Sequence, residues 1–400
     1  MNLNKIIGPL LGVLVLAGVV GAIWYSATDK ASSDNLAARF TQRIVVRVVS
    51  GSEKLNLLHD ERLTRLLEKK GISLEVQKAG SREIAGLADL RTYDVAFPAG
   101  QPAAEKIRTS TAVKRTATAF STPMVVASWK PIVDVLANAG IVRVEGGVYW
   151  ITDMNRLLEL MASGKRWRDL PGNTAFPVGK SILISTTNVS TSNSAAQFLA
   201  LASYLFNNAE VVTSYEQGDA AARRVAPLFA RQGFQEASSS GPFEDYLSIG
   251  MGKTPLVWIY EAQFLEQALQ RQIKPGMVLL YPRPTVFTKH VMVALSEKGT
   301  RFLDAMADPE ALRIAAEYGY RSEGAGSAEK IKAEAKGKGL LLPDLVDLVD
   351  PPSFDMLEHM ILAIERERDA AGPGEPARLA APQPRPQLPA PQISSKEKAR

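Results

Sequence analysis

Two stretches carry the glycine-lysine-hydroxyl ending of a phosphate-binding loop, Val178-Gly179-Lys180-Ser181 and Met251-Gly252-Lys253-Thr254. Neither meets the rest of the motif. The glycine required five residues earlier is Thr174 in one and Leu247 in the other, and both stretches precede a strand-like run instead of linking a strand to a helix. Nucleotide hydrolysis is therefore set aside. Gly324-Ala325-Gly326 lacks a third glycine and a preceding strand, and a G-x-S-x-G elbow is missing. Cysteine is absent, and His59, His290 and His359 are far apart, so thiolate chemistry, disulfides and zinc are short of parts. His290 lies in an apolar run, where a satisfied structural imidazole is the plainer reading than a general base. No nucleophile, base and metal constellation can be assembled, no cofactor is indicated, and the chain reads as a binder rather than an enzyme.

What remains are two polar loops, Ser50-Gly51-Ser52-Glu53 and Ser190-Thr191-Ser192-Asn193-Ser194, each between a strand-like run and a helical one. Such loops present backbone amides and hydroxyls at a helix N-terminus, where unsatisfied N–H groups and the helix dipole favour polar or negative groups. Facing each other across a cleft, they would hold a small polar solute from both sides, anions among the candidates. Each alone serves equally well as an ordinary cap, and Ser50 and Glu53 have the S-x-x-E spacing of a capping box. Glu53 and Glu261 would oppose an anion if they faced the cleft. Tyr260, at a strand end beside Glu261, suits a cleft edge, whereas Trp150 and Trp167 read as packing for the helix they flank. The candidate ligand contacts are thus Ser50, Gly51, Ser52, Thr191, Ser192, Asn193, Ser194, Tyr260 and Glu261.

The elements that must position these loops alternate short β-branched runs with amphipathic helical stretches, which reads as α/β. Residues 44–49 form a buried strand, a leucine-spaced helix follows until Gly71, and residues 72–76 and 93–97 give two more strands. Residues 116–128 are mostly extended and contain Pro123, as a connection between lobes would. Beyond it, a helix carries Ile151, Met154, Leu158 and Met161 on one face, capped by Thr152 or Asp153 and ended by Gly164. Strands are expected over 181–186, 256–260 and 277–281, with helices over 193–206 and 261–269, and the extended run 286–295 reads as a second crossing. Ser296 and Asp308-Pro309 open two closing helices, the second stopped by Gly319.

Composition bounds the rest. With 46% hydrophobic and 22% charged residues the chain is globular in character. Its +5 charge comes from 47 basic and 42 acidic residues, interspersed, with doublets such as Lys69-Lys70 and Arg223-Arg224 scattered, so no nucleic-acid partner is expected. Residues 6–24 carry no charge and, at about 1.5 Å per residue, reach the hydrocarbon thickness of roughly 30 Å. Lys5 and the amino terminus precede them, which favours a cytoplasmic N-terminus. The expected layout is an uncleaved transmembrane anchor over 1–31, a stalk over 32–42, lobe 1 over 43–123 and 286–322, and lobe 2 over 124–285; a cleaved signal peptide is the alternative to the anchor, with Val20-Gly21-Ala22 a poor cleavage site. A C-terminal extension over 323–370 follows, its helix carrying Leu357, Met360, Ile361 and Ile364 on one face. Seven prolines in residues 371–400 make a tail expected to be disordered. Everything beyond the anchor is expected outside the cytoplasm.

The chain resembles bacterial extracellular solute-binding proteins of the type II periplasmic class over about residues 43–322. The carriers are the strand running into Ser50-Gly51-Ser52-Glu53, the helix ending Ser163-Gly164-Lys165 with Trp167 and Leu170, the 191–194 loop, and Trp258-Ile259-Tyr260-Glu261. The closing block, from Leu279-Leu280-Tyr281-Pro282 through Val293-Ala294-Leu295-Ser296 to Tyr318-Gly319-Tyr320-Arg321-Ser322, is similar as well. The resemblance implies two α/β lobes joined by two extended crossings, a ligand between them, hinge closure on binding and a membrane permease as partner. More narrowly, Pro351-Pro352-Ser353 and the helix after it look like the linker that precedes a von Willebrand factor A module, but no D-x-S-x-S motif follows. Thr191-Ser192-Asn193-Ser194 stands where phosphate receptors have a glycine-rich loop, so phosphate specificity does not carry over. The alternative is an interaction or assembly protein at the membrane that reuses the fold.

Overall fold

A buried β-branched run starts the first lobe. In the computed structural model, which describes residues 43–370 apart from Phe234, Arg271 and residues 323–326, β1 (Ile44–Ser50) lies between β2 (Ile72–Lys78) and β3 (Val95–Phe97), parallel to both. The leucine-spaced stretch after β1 is not the single helix expected. A 3-10 turn (Ser52–Lys54) enters α1 (Leu55–Leu58), the chain breaks at His59, and α2 (Glu61–Lys69) begins where the Asp60 carboxylate accepts the Arg62 and Leu63 amides. That short-range competition for backbone donors divides the helix. The Ser50–Glu53 capping box does not form either: Ser50 Oγ donates to the Gly51 carbonyl, and Glu53 turns to Lys54. α3 (Ser81–Gly86) and α4 (Gln101–Ser110) flank β3.

β4 (Arg115–Trp129) carries the chain to the second lobe. There α5 (Lys130–Asn138) is followed by a hairpin of β5 (Val142–Glu145) and β6 (Val148–Ile151), which turns on Gly146 and Gly147, both at positive φ. α6 (Met154–Ala162) is capped by Asp153, which accepts the Arg156 amide at 2.9 Å. Residues 181–186 are not a strand. Ser181 and Ser185 make only isolated bridges, to Arg166 and Val257, while Ile182 and Ile184 turn into the core. α7 (Asn193–Phe206) and α8 (Tyr215–Ala230) come next. The second of these follows a Ser214–Gln217 capping box and runs through Pro227, a helix breaker that masks it in the sequence. After α9 (Ser240–Ser248), β7 (Leu256–Tyr260) passes directly into α10 (Glu261–Leu269), and β8 (Met277–Pro282) completes the lobe.

β9 (Thr285–Ala294) returns. Residues 115–123 of β4 pair antiparallel with it, whereas residues 124–129 lie between β7 and β8. Pro123 sits at this change of partners, where a residue without an N–H is tolerated. The two long strands are the interlobe crossings. α11 (Glu297–Met306) and α12 (Pro309–Glu317) close the first lobe on Ser296 and Asp308 caps, and Gly319 at φ +79° ends the second. α13 (Ser327–Gly337), β10 (Leu348–Val349, parallel to β9) and α14 (Phe354–Ala370) follow.

Val46, Val48, Phe97, Phe120 and Phe302 anchor one core, and Leu158, Trp167, Phe198 and Trp258 another. The buried face of α14, with Leu357, Met360, Ile361 and Ile364, belongs to the second. The expected anchor at 6–24, the stalk at 32–42 and the tail at 371–400 lie outside the described residues. Among the described residues no helix is long and apolar enough to cross a membrane.

Candidate functional site

The strand-to-helix turns of both lobes meet around a cavity of about 530 Å³. From the first lobe come Gly51, Ser52 and Glu53 after β1, and Lys78 to Ser81 with Glu83 after β2. The second contributes Ser192 and Asn193 at the start of α7, Glu236 to Ser239 before α9, and Tyr260 at the end of β7. Ser52 Oγ and Ser238 Oγ bridge the lobes at 2.6 Å, and Ser238 continues to Ser240 Oγ at 2.7 Å.

On the floor, Asn193 Nδ2 donates to Tyr260 Oη at 3.0 Å, and Gln197 Nε2 donates to Asn193 Oδ1 at 3.3 Å. Gly100, at φ +102°, makes room for Asn193, since a β-carbon there would stand 2.4 Å from Asn193 Oδ1. Thr191 Oγ1, Ser194 Oγ, Gln197 Oε1 and His290 Nε2 are buried without a hydrogen-bond partner among the described residues. None of these four lines the cavity, but Thr191 and Ser194 are chain neighbours of the wall residues Ser192 and Asn193, and Gln197 is hydrogen-bonded to Asn193.

Beneath the floor lies a charged cluster. Lys54 is fully buried and paired with Glu53, and its Nζ is 3.4 Å from His290 Nδ1. Burial pulls the Lys54 pKa down, against the pull of Glu53. His290 is held well below its ordinary pKa by burial and then by Lys54, so it is neutral. Tyr260 packs on it, ring centroids 5.6 Å apart, and Tyr320 donates to the Glu53 carbonyl at 2.6 Å. Burial and the Glu53 charge push both phenols up, so both stay protonated, Tyr320 donating to Glu53 and Tyr260 accepting from Asn193.

The nine sequence candidates divide. Gly51, Ser52, Ser192, Asn193 and Tyr260 line the cavity. Ser50 is buried at the end of β1 just behind it, and Thr191 offers its carbonyl to the close approach of Gly80. Ser194 is buried and its carbonyl accepts Trp258 Nε1 at 2.9 Å. Glu261 does not line the cavity: its fully buried carboxylate is held by Arg321 at 2.6 Å and by Tyr281 Oη at 2.7 Å. Outside the two loops singled out from the sequence, the Gly80-Ser81 turn and Ser238-Ser239 also line the cavity, and Lys54 belongs to the cluster beneath it. Gly80-Ser81 and Ser238-Ser239 were legible by the rule that found the first two loops, as small or hydroxyl residues just before a helix.

No family model matches the sequence, and neither does any curated protein. Solved structures do match in fold. The periplasmic binding protein AfuA from Actinobacillus pleuropneumoniae, with fructose-6-phosphate bound, aligns at 11% identity over 84% of this chain and 99% of its own, TM-score 0.51. Iron-bound HitA from Pseudomonas aeruginosa aligns at 11% identity over 81% of this chain and 99% of its own, also at TM-score 0.51. The likeness is one of fold: the chain has the mixed α/β, two-lobed architecture of type II periplasmic binding proteins.

Proposed function

We propose, from that shared two-lobed fold and the chemistry of the cleft, that the chain is a solute receptor working outside the cytoplasm. It is held at the membrane by residues 6–24 and hands a small polar solute to a permease. The observation that carries this reading is the convergence of hydroxyl-bearing helix starts from both lobes on one cavity, bridged by Ser52 and Ser238.

The charges narrow the solute. Glu53, Glu83 and Glu236 line the cavity against the single ammonium of Lys78, and even with Glu53 neutralised by Lys54 two carboxylates oppose one ammonium. A free anion fits such walls poorly, so the anionic candidates give way to neutral or cationic solutes. Binding rather than catalysis suits the cluster below, because Lys54 and His290 are sealed from the cavity by burial.

The test is a thermal-shift and native mass spectrometry screen of the full chain in detergent, with amino acids, amines, sugars and oxyanions. A response from a neutral or cationic solute that disappears in Ser52→Ala and Asn193→Ala supports the receptor. A panel-wide lack of response, with the chain folded, argues for the assembly role. Recovery of the full chain in the soluble fraction without detergent would remove the anchor.

A further inference from the structure

The C-terminal helix α14 has its apolar face in the second lobe, yet its polar contacts reach the first. Met356, Leu357, Met360 and Ile361 pack on α8, where Gly218 leaves the space: a β-carbon there would stand 3.1 Å from the His359 ring and 3.2 Å from Met356 Sδ. His359 Nε2 is 2.8 Å from Asp219 Oδ1, and Ser190, two residues before the cavity wall at Ser192, donates to Glu365.

Arg82 is the first lobe's answering group. It follows Gly80 and Ser81, which line the cavity, and its side chain is only 3% exposed. Among the described residues, the groups that compensate this buried guanidinium come from α14: the ion pair with Glu358, the Phe354 ring 5.0 Å from its central carbon, and the charge of Glu365. Burial lowers its pKa to about 10, which Glu365 opposes. Lys106 adds a weaker, exposed contact to Asp355 at 2.9 Å.

We infer that α14 is a latch on lobe closure, seated by packing on the second lobe and fastened by Arg82 of the first, so that the closed cleft is held from behind by the protein's own C-terminal extension. Opening the lobes would separate Arg82 from its partners on α14, and so opening is coupled to release of this helix. The latch is independent of what the cleft binds.

The absence of native cysteine allows a direct test. Glu75→Cys on the first lobe and Asp134→Cys on the second, both exposed, would carry spin labels in the full chain in detergent, and electron–electron distances would be read without added solute. Arg82→Gln should raise the open-to-closed ratio by about tenfold, and Gly218→Leu, which unseats the helix, should do likewise. The exchange Arg82→Glu with Glu358→Arg should restore the closed distance. An unchanged distribution in Arg82→Gln, or opening by Gly218→Leu alone, would overturn the assignment of Arg82 as the fastening. If Arg82→Gln does not fold, the charge exchange decides: failure to close in a folded exchange variant also overturns it. Since no solute is read, failure of the latch is separate from failure of the receptor reading.

Discussion

The carbonyl oxygen of Thr191 lies so close to Gly80 that a β-carbon on that glycine would stand 2.3 Å from it. Thr191 belongs to the second lobe and Gly80 to the first, so the lobes meet here backbone to side-chain-free backbone. Gly80 is at φ −62°, ψ 140°, a conformation any residue adopts. Its glycine is thus required by the approach of Thr191 and not by its own turn.

Gly80→Ala is therefore expected to hold the lobes apart without unfolding either one. Small-angle scattering of the full chain in detergent should show a larger radius of gyration than wild type, with a denaturation midpoint altered by less than about 1 kcal/mol in stability. Gly86→Ala, where a β-carbon meets nothing within 4 Å, is the control and should scatter like wild type. Equal dimensions in all three proteins would mean the contact does not limit closure.

Glu261 separates a structural role from a binding one. Its carboxylate joins Arg321 and Tyr281, which come from different parts of the chain, and none of these groups lines the cavity. Glu261→Ala leaves a buried guanidinium unpaired and should cost about 3–5 kcal/mol in urea denaturation. Tyr281→Phe should cost about 1 kcal/mol. Any solute response found for wild type should survive in Tyr281→Phe; its loss there would place this network in recognition.

Asn193 and Tyr260 should behave in the opposite way. Tyr260→Phe removes only the acceptor of the Asn193 amide and should cost about 1 kcal/mol of stability, yet abolish the thermal shift with the best solute. A full shift in Tyr260→Phe would take the phenol out of the site.

The buried imidazole of His290 sets a pH dependence. In the unfolded chain it titrates near pH ~6.5, while in the folded protein burial and Lys54 keep its pKa well below that. Below about pH 6.5 the unfolded chain binds a proton that the folded one does not, so stability falls as pH drops towards the folded value. Above that pH the contribution is fully present. Between pH 7 and 5.5 wild type should lose stability at up to about 1.4 kcal/mol per pH unit more than His290→Gln does. Equal slopes would rule out the imidazole as the cause.

Much of the framework was legible in the sequence because its causes are local. The run 256–260 into 261–269 and the helix over 193–206 match β7, α10 and α7, since apolar alternation and helical spacing act over a few residues. Ser296, Asp153 and Asp308 act as caps through amides two or three residues away. The crossings also stood out, as long extended runs at 116–128 and 286–295. Local rules fell short where they competed: Asp60 captures amides inside a leucine-spaced stretch, and residues 181–186 have strand composition but meet β7 only through the single bridge of Ser185 to Val257.

The amino-acid order by itself thus determined an α/β chain with two long crossings and hydroxyl-bearing turns ahead of its helices. Which turns face one another was decided by tertiary structure alone. Ser52 meets Ser238 across 186 residues, and Lys54 meets His290 across 236. No periodicity links such pairs; they touch because β4 and β9 carry the chain out and back and set the lobes face to face. The same holds for Glu261, whose position beside Tyr260 suggested the cleft. Consecutive residues at the junction of β7 and α10 point in different directions, so Tyr260 reaches the cavity and Glu261 turns to Arg321.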